Sequence, residues 1–140
     1  MSVWTHITGI IRVDDSTLFF NNKGGVDLSN IFIRDTWENP NENGNLPMGS
    51  EGSLDVEFIT RPNDDGIDYR KTIAFFGDLR GFEAADCDKV REWWKNIAIK
   101  LYQVKCIVRQ AVLEINPENG ETIILTERDM DAPPINFKGF

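Results

Sequence analysis

The 140-residue sequence holds two cysteines, one histidine and no long apolar run, and each scarcity closes off a class of protein. Cys87 and Cys106 lack Cys-x-x-Cys spacing and fall far below the density of a disulfide-stapled domain, so both read as reduced thiols. The longest apolar stretches, such as Ile73–Phe76 and Ala111–Leu113, are a few residues long, whereas a membrane-spanning helix needs about 20. The segment Met1–His6 carries no basic stretch followed by an apolar one, so the expected location is cytoplasmic.

Chemistry is equally sparse. Any Ser-His-Asp or Cys-His mechanism must run through His6, and no motif sets a nucleophile beside it. There is no Gly-x-x-x-x-Gly-Lys-Ser/Thr phosphate loop, and the glycines of Gly77–Gly81 read as backbone turns. Asp64-Asp65-Gly66-Ile67-Asp68 lacks the alternating ligands and late bidentate glutamate of a calcium loop, and reads as a hairpin turn. The carboxylate pairs Asp14/Asp15, Asp86/Asp88 and Asp129/Asp131 fall at turns or element ends, where carboxylates cap backbone groups. Cys87 stands near the start of a helix, where the dipole can lower a thiol pKa, but an ordinary semi-buried cysteine is the better reading. No catalytic residue, metal site or cofactor is expected.

What is present is a chain of ordinary globular composition, 41% hydrophobic and 27% charged, with a net charge of −8 and enough length for one core. The charge is unevenly placed. Residues 35–68 hold nine acids against Arg61 alone, residues 88–113 sum to +4, and residues 114–140 sum to −4. This polarity disfavours binding to duplex nucleic acid or anionic lipid, because both demand neutralisation of many phosphates, and it suits a basic partner surface. Acidic loops also serve simply to keep a small domain soluble.

Alternation from Val3 to Val13 predicts a first strand with one buried side. Leu28, Ile31 and Phe32 suit a short helix starting near Asp27, and Glu38–Gly52, with two prolines, four asparagines and three glycines, reads as a surface loop. A second strand from Leu54 ends at Arg61-Pro62, and Tyr69–Leu79 returns as a third, with Gly77 ending its regular part. Val90, Trp93, Trp94, Ile97, Ala98 and Leu101 then form one apolar stripe of a helix over 86–102, with Asp86 as its N-cap. Residues 107–115 and 122–126 form a closing hairpin, and 129–140 an irregular tail that follows a single domain over 1–128.

The order β-α-β-β-α-β plus a hairpin strand predicts an α+β, ferredoxin-like antiparallel sheet with helices on one face and the other face open. In that arrangement the first and third strands are central neighbours. Trp4, His6 and Arg12 would then share the open face with Arg70, Thr72 and Phe76, as a platform able to stack a base while arginine holds phosphate. The competing reading buries Trp4 and Phe76 as a second small core beneath the 38–52 loop or the C-terminal tail.

Ser2-Val3-Trp4-Thr5-His6, Gly49-Ser50-Glu51-Gly52-Ser53-Leu54 and Phe76-Gly77-Asp78-Leu79-Arg80 resemble segments of small bacteriophage proteins, most of them of unassigned function. The resemblance implies a phage-encoded, host-acting protein working in the host cell cytoplasm, and it carries over no catalytic residue. The leading expectation is a non-catalytic protein that engages a host or defence factor through an acidic surface built from Glu51, Asp55, Glu57, Asp64, Asp65 and Asp68. A nucleotide-binding or nucleotide-sequestering domain on the open sheet face is the alternative, and a virion structural protein is the next. Self-association is compatible with all three.

Overall fold

The computed structural model describes residues 3–16, 28, 31–32, 46–47, 51–60, 70–81 and 84–133. The described elements are strands β1 (Trp4–Asp15), β2 (Asp55–Thr60) and β3 (Arg70–Arg80), helix α1 (Ala84–Gln103), and strands β4 (Cys106–Pro117) and β5 (Ile123–Thr126). A 3-10 turn at Glu127–Asp129 follows β5. The five strands make one sheet in the order β2-β3-β1-β4-β5, and every neighbouring pair is antiparallel. The domain is therefore α+β, with α1 packed on one face of the sheet.

Strand period decides which side chains meet that helix. Thr5, Ile7, Ile11 and Val13 of β1, Ile73, Phe75 and Leu79 of β3, and Ala111, Leu113 and Ile115 of β4 are all buried on the same face. The predicted stripe of α1 is buried in full, from Val90 through Leu101, and Cys87 extends it. Aromatic rings link the layers: Phe32 to Phe75 at 5.3 Å between centroids, Phe75 to Trp93 at 5.4 Å, and Trp93 to Trp94 at 6.1 Å. The Trp94 indole is fully buried and its Nε1–H donates to the Thr126 carbonyl at 2.8 Å, so its polar edge is satisfied where helix meets β5.

Several expectations change. β3 runs unbroken through Gly77 to Arg80, because Gly77 keeps its ladder partner Ile7. Asp86 lies inside the first turn of α1, three residues before its ion-pair partner Lys89, and is not the N-cap. The tail begins with structure: Thr126 and Asp129 form a reciprocal capping box, and Met130 is buried. The 38–52 segment is not wholly a surface loop, since Leu46 and Pro47 are buried and the Pro47 carbonyl accepts from Leu54 N–H at 3.2 Å. Of the helix expected near Asp27, Leu28 and Phe32 are buried in the core and Ile31 N–H donates to the Leu28 carbonyl; the rest lies outside the described residues.

Candidate functional site: the face opposite the helix

The second side-chain phase of each strand faces away from α1. Its cross-strand rows read Asp55–Phe76–Thr8–Glu114–Ile124, then Glu57–Ala74–Ile10–Val112–Thr126, then Ile59–Thr72–Arg12–Gln110. Ile10, Ile59, Phe76, Val112 and Ile124 are between 41% and 61% exposed on this face, so five large apolar side chains meet solvent side by side. Glu114 stands between Phe76 and Ile124, and Asp55 and Glu57 flank the rows on edge strand β2. Phe76 is 41% exposed and Trp4, at the strand end, is half-buried; most of the 38–52 loop and the tail from 134, expected to cover them in the competing reading, lie outside the described residues.

The face is divided along the strands. At the β1 N-terminal end, His6 Nδ1 and Asp78 Oδ1 are 2.5 Å apart, and Arg80 bonds Glu51 at 2.6 Å. Both pairs are exposed, so each contributes at most about 1 kcal/mol. Trp4 is opposite Arg80, and its main chain exchanges hydrogen bonds with Glu118. Val3–His6, Glu51–Leu54 and Phe76–Arg80 therefore converge on one corner. Gly52, at φ +78°, lies against the Asp78 carbonyl, a conformation and an approach that a side chain would forbid.

The opposite end is cationic. Arg12, Arg70 and Arg109 line a depression of about 490 Å³ together with Asp14, Thr72 and Ile59. Arg12 pairs across the ladder with Gln110 but Val13 with Val108, so Arg109 is an extra residue in β4. That bulge turns the Arg109 guanidinium onto Asp14, with Nε 2.5 Å from Oδ2. Lys71, on the other side-chain phase, is neutralised by fully buried Asp15 at 3.1 Å.

The five residues expected to form one platform thus fall into separate groups. Arg12 and Arg70 meet in the cationic depression, and Phe76 joins the apolar rows. Trp4 and His6 lie at the far end, with Trp4 eight residues from Arg12, or about 26 Å along an extended strand. Arg109 and Asp14 were not expected at the site. The adjacent polar residues Arg109 and Gln110, which interrupt the alternation of their strand, were the available signal for the bulge. Of the acidic surface, Glu51 is held by Arg80 and Asp55 and Glu57 are on the open face, whereas Asp64, Asp65 and Asp68 lie outside the described residues.

Nucleophile chemistry finds little support. Burial raises the Cys87 thiol pKa more than Arg91 lowers it, contrary to activation by the helix dipole. Burial, reinforced by Asp15 and partly offset by Lys71, pushes the Cys106 thiol up to about 12. Among the described residues no cluster of three or more His, Cys, Asp or Glu is placed to hold a metal, and no helix is long and apolar enough to cross a membrane. Comparison with family models, curated proteins and solved structures returned no match.

Proposed function

We propose that this chain is a non-catalytic, phage-type binding protein that engages a host or defence protein through the open face of its sheet. The observation that carries the reading is the set of rows on which Ile10, Phe76, Val112 and Ile124 lie exposed beside Asp55, Glu57 and Glu114. Contiguous exposed apolar side chains cost solubility unless a partner covers them, and they mark interaction surfaces. The carboxylates beside and within these rows, in a chain of net charge −8, select a partner that presents basic residues around an apolar knob. The order β2-β3-β1-β4-β5 supports reading the domain as ferredoxin-like with an added edge strand, a helix between β1 and β2 completing the arrangement. Such a domain leaves this face free for recognition.

The test is retrieval from bacterial lysate with immobilised protein, followed by titration of the purified retrieved protein at low and high salt. Phe76→Ser/Ile124→Ser and Asp55→Asn/Glu57→Gln variants with wild-type circular dichroism are compared. Binding weakened at least tenfold by both pairs, with salt sensitivity lost only in the second, supports the reading. Binding that neither pair alters overturns it.

A further inference from the structure

We infer that the depression bounded by Arg12, Arg70 and Arg109 is a binding site for a phosphate dianion carried as a phosphomonoester. Three guanidinium groups come from three adjacent strands, β1, β3 and β4, and the carboxylate in the lining is Asp14, already bonded to Arg109. The described lining residues carry more positive than negative charge, with Lys71 on the buried phase already paired to Asp15, on a chain whose net charge is −8. A phosphomonoester carries about −1.5 to −2 at neutral pH, the sign that a cationic depression attracts. Guanidinium forks present paired N–H donors to phosphate oxygens, a geometry that lysine lacks.

Three features make this more than a basic patch. Arg12 forms no ion pair with any described residue, so its donors are available from an exposed strand position. Arg109 is delivered by a bulge, the device that re-aims a side chain out of a regular ladder, and Asp14 orients it. The volume of about 490 Å³ exceeds what a bare phosphate fills and falls in the range of small-molecule sites, while Ile59 offers an apolar wall for the organic part of an ester. Among the described lining residues there is no aromatic ring, so the site rests on charge and shape alone.

Adenosine 5′-monophosphate, inorganic phosphate and adenosine are titrated calorimetrically into the full chain at low salt, with Arg12→Gln as the variant. Gln keeps the polar character and most of the stem, and Arg12 is exposed, so folding is retained and is checked by the thermal midpoint. Both phosphate-bearing probes should bind and lose affinity with added salt, adenosine should not bind, and Arg12→Gln should weaken both about tenfold. Equal affinity for the two probes assigns recognition to the phosphate alone, and tighter binding of the nucleotide adds the Ile59 wall; either supports the site. No binding of either probe at millimolar concentration, equal binding of adenosine, or affinity unchanged in Arg12→Gln overturns it. Arg109→Gln, which also releases Asp14, should weaken binding at least as much.

Discussion

Gly77 lies against the chain entering β2 so closely that a Cβ on it would stand 2.6 Å from the Ser53 carbonyl oxygen and 3.0 Å from Leu54 Cα. The strand continues through this position with Ile7 as partner, so the requirement here is for space and not for a break in the ladder. The two nearest of these contacts are backbone atoms, which cannot swing aside as the end of a side chain can.

Gly77→Ala should therefore destabilise the fold by about 1–3 kcal/mol, as overpacking does in well-filled cores. Chemical denaturation of wild type and variant measures it. An unchanged midpoint would show that residues 51–54 can move off β3 at no cost.

Asp15 is fully buried and Lys71 nearly so, with their charged atoms 3.1 Å apart. Lys71→Met should cost about 3–5 kcal/mol, because it removes the cation 3.1 Å from a fully buried carboxylate. Asp15→Asn/Lys71→Met should recover a large part of that loss. Urea denaturation of the single and double variants gives the coupling, and additive losses would mean that the pair is not energetically linked.

The Cys106 thiol ionises at about 12 in the folded protein, against an ordinary value of 9.0. Because the folded-state value is raised, the unfolded chain loses this proton first. Stability is thus fully present below pH 9 and falls between pH 9 and 12, at about 1.4 kcal/mol per pH unit from this group. Cys106→Ala should be less stable at neutral pH but show a shallower decline through that window. Denaturation midpoints at pH 8, 9 and 10 compare the slopes; parallel slopes would contradict the assignment.

Much of the framework is written locally in the sequence. Alternation along 3–13 and 107–115, the β-favouring run Thr72–Phe76 and the stripe from Val90 to Leu101 specify strands and a helix, because side-chain direction repeats every two or 3.6 residues whatever lies elsewhere. Those periods also identified most of the core, Trp93 and Trp94 included. They placed Ile10 and Phe76 outside the buried phase, though not what would cover them.

Only the tertiary structure decided what shares a neighbourhood across the sheet. Arg12, Arg70 and Arg109 are separated by up to 97 positions in the sequence, and they meet because β1 lies between β3 and β4 with one shift of register. The same pairing holds Trp4 and His6 at the other end of their strand. It also draws Glu51, Gly52 and Asp78 into one corner, through a φ of +78° and a carbonyl approach open to glycine alone. Local period fixes which face a residue takes, but its neighbours on that face follow from long-range register, which a single bulge resets.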